Sequence, residues 1–173
     1  MKKKYDLLIK NGSVVMDSGV VKTDIIIKDG KIAGLLVDAC SDEAEKVIDA
    51  QELLVMPGLI DSHVHINEPG RESWEGFETG SKSAAAGGIT TFIDMPLNSS
   101  PCTVTKEALA AKVEAGERNS LIDFALWAGA APDNKTHIDD LHTGGVAAFK
   151  SFLSNSGLEE FKEINDDEFV TIL

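Results

Sequence analysis

The spacing of hydrophobic residues changes near residue 55. Before that point, short apolar runs alternate with turn dipeptides, among them Asn11-Gly12 and Asp29-Gly30. Turn signals that recur every roughly 8–12 residues between short apolar runs are typical of small β-rich domains. We therefore expect residues 1–55 to form a small antiparallel β module.

From residue 56 onward, longer apolar runs alternate with helical patterns. Strands that are apolar throughout and are joined by helices form a parallel sheet that is covered on both faces or closed on itself. A doubly wound sheet and the first half of a (β/α)₈ barrel both fit this pattern. The predicted strands lie at 53–66, 89–95, 121–130 and 145–153, and the predicted helices at 72–87, 105–119, 134–143 and 159–168.

The length of this second region, 56–173, is too small for a complete barrel. A (β/α)₈ barrel needs about 250 residues. The last residues, 169–173, form an apolar run without a cap, a glycine or a polar tail. We therefore expect the chain to be the N-terminal portion of a longer protein.

The charge of the chain argues against several kinds of partner. The 173 residues carry 16 Lys and Arg against 29 Asp and Glu, a formal net charge of −13. Nucleic acids and anionic lipids bind clustered positive charge, so we expect neither as a partner. The sequence contains neither a run of about 20 apolar residues nor a secretory leader. Cys40 and Cys102 lie far apart, which favours a reducing, cytoplasmic location over a disulfide-stapled fold.

The segment Asp61-Ser62-His63-Val64-His65 carries the clearest candidate chemistry. Residues two apart on a strand point to the same face, so His63 and His65 would present two imidazoles side by side. Imidazole is the commonest metal-binding side chain. The simpler alternative is a pair of surface or core histidines without a ligand. Asp61 could orient one imidazole or cap a turn.

Lys150 and Asn98 stand out because of their neighbours. Lys150 interrupts an otherwise apolar strand. Its amine either reaches solvent at the strand end, or is buried with a lowered pKa and can form a carbamate with carbon dioxide. Asn98 follows Met-Pro-Leu after a predicted strand. Its amide could hydrogen-bond a substrate or make a local turn.

Three segments of the chain resemble a known family. Segment 57–65, Pro-Gly-Leu-Ile-Asp-Ser-His-Val-His, is similar to the opening signature of the amidohydrolase superfamily. Segments 68–80 and 84–99, with Glu-Pro-Gly-Arg, Trp-Glu-Gly-Phe-Glu and Met-Pro-Leu-Asn-Ser, resemble the allantoinase family within it. The likeness extends over the whole chain. It implies an α/β fold, in which the N-terminal part of a β-sandwich-like domain precedes about four units of a (β/α)₈ TIM barrel.

The resemblance also implies a site with two divalent metal ions, typically zinc. His63 and His65 match two ligands of the more buried ion, and Lys150 matches the carbamylated lysine that bridges the two ions. The carbon dioxide of the carbamate is then a further cofactor. Two later histidines of the family, and an aspartate that acts as general acid and base, would lie beyond Leu173. The resemblance therefore implies no catalytic acid or base within this chain.

The implied activity is hydrolysis of the cyclic amide bond of allantoin to allantoate in purine breakdown, by a homotetramer. Asn98 would then bind the substrate. Dihydroorotases usually carry an arginine at the position of Asn67, and its absence here suits an uncharged ring. A hydantoinase or dihydropyrimidinase is another cyclic-amide hydrolase that fits. A non-catalytic assembly protein fits less well, because such relatives have often lost ligands that this chain keeps.

Overall fold

The computed structural model describes residues 3–172, except for the side chain of residue 133. The first two residues of the predicted N-terminal domain and the last residue of the predicted final apolar run lie outside this range. The chain divides into two compact units, one ending at Pro57 and the other beginning at Gly58. Within the described residues, none of the helices is long and apolar enough to cross a membrane.

The first unit consists of seven strands and one short 3₁₀ turn. Two sheets form, with the strand orders β5-β4-β1-β6 and β3-β2-β7. The elements are β1 (Tyr5–Lys10), β2 (Ser13–Met16), β3 (Gly19–Lys22), β4 (Asp24–Lys28), β5 (Lys31–Leu36), the 3₁₀ turn Ser41–Glu43, β6 (Ala44–Asp49) and β7 (Leu54–Val55).

The expectation of an antiparallel module was wrong for two of the five strand pairs. Strand β1 pairs antiparallel with β4 but parallel with β6, and β2 pairs antiparallel with β3 but parallel with β7. Both parallel partners return from a distant part of the unit, and no hairpin turn marks such a pairing in the sequence. The buried carboxylate of Asp24 supports this arrangement, because it accepts the backbone N–H groups of Asn11 and Ala39 at 2.8 Å each.

The second unit contains four parallel strands in the order β8-β9-β10-β11, with helical segments between successive strands. The predicted α/β class, with strand-rich N-terminal sheets and a parallel second region, is confirmed. The elements are β8 (Leu59–Val64), α1 (Phe77–Ala86), β9 (Ile89–Asp94), α2 (Lys106–Asn119), β10 (Asp123–Gly129), the 3₁₀ turn Pro132–His137, α3 (Ile138–Thr143), β11 (Ala148–Lys150) and α4 (Asp166–Ile172).

Side-chain caps set where the longer helices begin. The hydroxyl of Thr105 accepts the N–H of Ala108 at 3.2 Å, which confirms the predicted start of α2. Helix α1 starts later than predicted, because the buried carboxylate of Glu68 accepts the N–H of Phe77 at 2.9 Å. This contact leaves residues 65–76 as a loop between β8 and α1.

Strand β11 is shorter than the predicted 145–153. The apolar residues beyond Lys150 belong to a second cluster, in which the rings of Phe152 and Phe161 lie 5.6 Å apart. Residues 151–165 consequently form a long loop, and the last helix begins at Asp166 rather than near residue 159.

The main core of this unit lies on the helix-facing side of the sheet. Phe77 of α1 stacks with Phe92 of β9 and contacts Phe124 of β10, with ring centroids 5.4–6.3 Å apart. Val64 of β8 packs against the same cluster. Because side chains alternate along a strand, the residues on either side of Val64 point to the opposite face of the sheet.

A buried ion pair links α2 to the ends of β8 and β9. Lys112 Nζ lies 2.6 Å from Asp94 Oδ2, and both side chains are almost completely buried, at 1% and 0% exposure. The same amine donates to the carbonyl of Ile66 at 3.0 Å and to the hydroxyl of Ser99 at 3.1 Å. Asp94 Oδ1 accepts the N–H of Ile66 at 2.6 Å. Burial raises the pKa of Asp94 to about 6, and the charge of Lys112 opposes this rise.

The ion pair predicts a large loss of stability when one partner is removed. We expect Lys112→Met to lower the free energy of unfolding by about 3–5 kcal/mol, because it leaves Asp94 buried without its counter-charge. The double variant Asp94→Asn/Lys112→Met should lose less than the sum of the two single variants. Denaturant-induced unfolding measures both quantities.

Lys82 provides a matched control on α1. It pairs with Glu78 at the surface, where both side chains are more than half exposed. Lys82→Met should therefore cost less than about 1 kcal/mol. Equal losses for Lys82→Met and Lys112→Met would contradict a special role for the buried pair.

Candidate metal centre

The carboxyl end of β8 carries the two predicted histidines. The ring centroids of His63 and His65 lie 5.3 Å apart. His63 is exposed and His65 is partly buried. Because Val64 between them packs into the core, both imidazoles lie on the opposite face of the sheet, as the period of a strand predicts.

Lys150 ends β11, at the same end of the parallel sheet. Its side chain is partly buried, and its amine lies over the ring of Phe152, 5.0 Å from the centroid. Burial lowers the pKa of Lys150 below its usual value. This favours the neutral amine, the form that reacts with carbon dioxide.

His65 lies within electrostatic range of both other candidates. Burial lowers the pKa of His65, and the nearby charges of Lys150 and His63 lower it further. A lowered pKa keeps the imidazole neutral near pH 7, and only the neutral ring has a lone pair for a metal. The structure therefore places His63, His65 and Lys150 at one end of the sheet.

The end of β8 is held by contacts outside the regular strand pairing. The register between β8 and β9 shifts between Asp61 and Val64, so the ladder does not fix the stretch that contains His63. The carboxylate of Asp61 accepts the N–H of His63 at 3.1 Å. Of the two roles open for Asp61, the structure supports the backbone contact rather than orientation of an imidazole. Beyond His65, the N–H of Ile66 is fixed by Asp94 at 2.6 Å.

Asn98 lies beside His65, on the loop after β9. Its Nδ2 is 3.4 Å from Nδ1 of His65, and its backbone has a φ of 76°, in the left-handed region. The carbonyl of Asn98 accepts a 2.9 Å hydrogen bond from Arg71. The predicted contact of Asn98 with a substrate stays a prediction, but its place next to a candidate ligand is clear.

The sequence analysis missed Lys112, and it left open whether Arg71 contacts a substrate or is an exposed loop residue. Lys112 occupies the buried side of α2, whose other buried residues are Ala108, Leu109, Ala115 and Gly116. A lysine on the apolar stripe of a helix is a pattern from which burial of Lys112 could have been predicted. An arginine in a loop is usually exposed, whereas the side chain of Arg71 is 26% exposed and donates to the carbonyl of Asn98 at 2.9 Å.

The donor set fits part of a metal site. Two imidazoles from adjacent same-face positions are typical zinc ligands, and a lysine carbamate would add an anionic oxygen ligand. Within residues 3–172, no group of three or more His, Cys, Asp and Glu side chains could hold an ion. The predicted carbamate on Lys150 stays a prediction, and the lowered pKa of this amine is compatible with it.

The chain is similar in sequence to allantoinases from several bacteria. Allantoinase from Bacillus velezensis is 49% identical over 162 residues, which cover 94% of this chain and 36% of that relative. Allantoinase from Deinococcus radiodurans is 48% identical over 161 residues, which cover 93% of this chain and 36% of that relative. The chain thus spans about a third of the length of the curated relatives that it matches.

Hydantoinases are among the solved structures that the chain resembles. L-hydantoinase (dihydropyrimidinase) from Arthrobacter aurescens has a TM-score of 0.91 and 38% identity over 97% of this chain and 37% of that chain. D-hydantoinase (dihydropyrimidinase) from Thermus sp. has a TM-score of 0.76 and 32% identity, over 94% of this chain and 36% of that chain. The predicted likeness to the first half of a hydrolase barrel is confirmed by this agreement.

The family model for amidohydrolases matches residues 54–164, which include the H-x-H pair, Asn98 and Lys150. The matched segment begins at β7 and continues into the loop after β11. It thus contains every predicted site residue and well over half of the chain. The chain belongs to the amidohydrolase family.

Proposed function

We propose that the protein hydrolyses the cyclic amide bond of allantoin to give allantoate, with bound divalent metal ions. The observation that carries this proposal is the placement of His63, His65 and Lys150 at one end of the sheet. The identity of 42–49% to allantoinases over more than nine-tenths of the chain supports the choice of substrate. A role in purine breakdown, a cytoplasmic location and a homotetrameric assembly belong to the same proposal.

His63 and His65 are the proposed ligands of one metal ion, and Lys150 is the proposed bridge to a second. The neutral amine of Lys150 adds to carbon dioxide and releases one proton, which leaves a carbamate anion. Such an anion would reduce the repulsion between two divalent cations bound there. When bound, zinc ions at such a site supply Lewis acidity and activated water for amide hydrolysis.

The surroundings of the site favour an uncharged substrate. The position at which a carboxylate-binding arginine would be expected is Asn67, which is buried. Its backbone N–H donates to the carbonyl of Glu75 at 2.8 Å. The nearby Arg71 is already engaged by the carbonyl of Asn98 and the carboxylate of Glu160. Asn98 itself carries an amide that can donate to a ring carbonyl of the substrate.

Hydantoinase activity is the second candidate function. The TM-score of 0.91 to L-hydantoinase favours it, although the identity to that protein, 38%, is lower than the identity to the allantoinases. Both substrates contain a five-membered cyclic amide, and allantoin carries an additional ureido group. Allantoinase and hydantoinase activity therefore differ in how the site binds the substituent on the ring, which in allantoin is the ureido group.

Substrate turnover separates these functions. We expect kcat/KM for allantoin to exceed that for hydantoin and for dihydroorotate by at least about tenfold, because extra polar contacts to the ureido group would be worth more than 1.4 kcal/mol. Initial rates with the three substrates under identical conditions measure this. A preference for unsubstituted hydantoin would favour the second candidate, and hydrolysis of none of the three would contradict both.

Metal analysis tests the histidine ligands. We expect His63→Ala and His65→Ala each to strip most of the bound metal, since each removes one of the ligands that the chain supplies. Elemental analysis of the purified variants gives the metal-to-protein ratio. His142→Ala is the control, because His142 is an exposed residue at the end of α3 and should leave the ratio unchanged. A wild-type ratio in His63→Ala would contradict the assignment.

Substitution of Lys150 tests the carbamate. Lys150→Ala should lower metal content and reduce turnover on the order of 10³-fold, because electrostatic stabilisation by bound metal is worth several kcal/mol. Added short carboxylic acids should restore part of both. Lys150→Arg should not restore activity, since a guanidinium remains charged and forms no carbamate. Near-normal turnover of Lys150→Arg would mean that the lysine has no bridging role.

A further inference from the structure

We propose that Asn98 and Arg71 orient the imidazole of His65 and fix its tautomer, with Asn98 acting on the ring and Arg71 acting on Asn98. This inference rests on the proposed function only in assuming that His65 binds a metal. It concerns two residues that position a ligand and do not themselves bind the ion.

Nδ1 of His65 faces the side-chain amide of Asn98 at 3.4 Å. In a neutral imidazole one nitrogen carries the proton and the other has the lone pair. The oxygen and nitrogen of an asparagine amide exchange places by a simple flip. With the oxygen toward His65, Asn98 accepts the proton of Nδ1, and the lone pair of Nε2 is free for a metal. The amide nitrogen is then left for a substrate, so this role is compatible with substrate binding.

The backbone of Asn98 is held by its neighbours in the left-handed region, with a φ of 76°. Asparagine adopts this region more readily than most residues with a Cβ. Two contacts hold it there. Arg71 Nη1 donates to the carbonyl of Asn98 at 2.9 Å, and the next residue, Ser99, is fixed by the buried Lys112 at 3.1 Å. The direction of the Asn98 side chain is therefore determined by its surroundings.

Arg71 is itself fixed on three sides. Its backbone N–H donates to the carbonyl of Asn67 at 3.0 Å. Its guanidinium lies 3.8 Å from the carboxylate of Glu160 and packs on the ring of Trp74, 5.5 Å from the centroid. The side chain thereby joins the loops that follow β8, β9 and β11. Its charge is engaged within the protein, which suits a positioning residue.

The loops after β8 and β9 also touch directly. The N–H of Ser100 donates to the carbonyl of Pro69 at 2.8 Å. Gly70 has a φ of 91°, and a Cβ at this position would lie 2.3 Å from the carbonyl oxygen of Ser100. The loop that carries Arg71 therefore lies close against the loop that carries Asn98. A movement of either loop would change the contact between Asn98 and His65.

The tautomer of His65 in metal-free protein tests this inference first. NMR of ¹⁵N-labelled protein at pH 8, where the imidazole is neutral, distinguishes a proton on Nδ1 from one on Nε2. We expect Nδ1–H in the wild type. Asn98→Gly removes the amide without straining the left-handed backbone and should lose this preference. Asn98→Asp should keep it, because a carboxylate accepts the same hydrogen bond.

Zinc affinity, measured by competition with a chelator, is the second readout. Loss of a hydrogen-bond partner behind a metal-binding histidine typically lowers affinity 10–100-fold, and we expect a loss in this range for Asn98→Gly. Like Asn98→Gly, Arg71→Ala should lower the zinc affinity and weaken the preference for Nδ1–H. Arg71→Lys should restore part of both losses. A merely structural role would lower the melting temperature without changing the tautomer of the folded protein.

The outcomes separate this inference from the proposed function. Absence of zinc binding in the wild type would contradict the proposed metal site, whereas the tautomer experiment would remain informative. A wild type with Nε2–H, or an Asn98→Gly variant with unchanged tautomer and zinc affinity, would overturn the inference. A rise in KM for allantoin alone in Asn98→Gly would assign Asn98 to substrate contact only.

Discussion

The buried ion pair between Asp94 and Lys112 is the interaction on which the site depends. Two charges removed from water are tolerated only when they satisfy each other and their remaining hydrogen-bonding groups. Here the remaining groups are the backbone of Ile66 and the hydroxyl of Ser99. Ile66 follows His65, and Ser99 follows Asn98. The requirement to satisfy a buried amine therefore fixes the segments that carry both site residues.

This arrangement explains why the H-x-H segment is ordered although the strand pairing beside it is interrupted. The ladder between β8 and β9 shifts register where His63 lies, and the chain is fixed again at Val64, whose carbonyl accepts the N–H of Met95 at 2.8 Å. The position of the imidazoles then depends on α2, through Lys112, and on the loops that follow β8 and β9. Lys112 thus links the stability of this unit to the position of the proposed ligand His65.

Local patterns predicted the site residues but not the contacts that hold them. The two-residue period of a strand placed His63 and His65 on one face, and the N-cap preference of threonine located the start of α2 at Thr105. The parallel pairings of β6 and β7, the loop that shortens α1 and the role of Arg71 depend on residues far apart in sequence. Single-sequence periodicity contains no signal for such pairs, whereas Lys112 on an apolar helix stripe was detectable. The sequence also left the roles of Asn98 and Lys150 open, since burial and neighbours decide them.

X-ray diffraction at the zinc absorption edge, on crystals of the zinc-loaded protein, tests the central claim most directly. The claim is that His63, His65 and a modified Lys150 hold metal at one end of the sheet. Anomalous difference maps should show zinc bonded to Nε2 of His65 and to a ring nitrogen of His63. Density beyond Nζ of Lys150 should have the shape of a carboxylate that contacts zinc. Zinc at the histidines with an unmodified Lys150, or zinc bound elsewhere on the chain, would contradict the account.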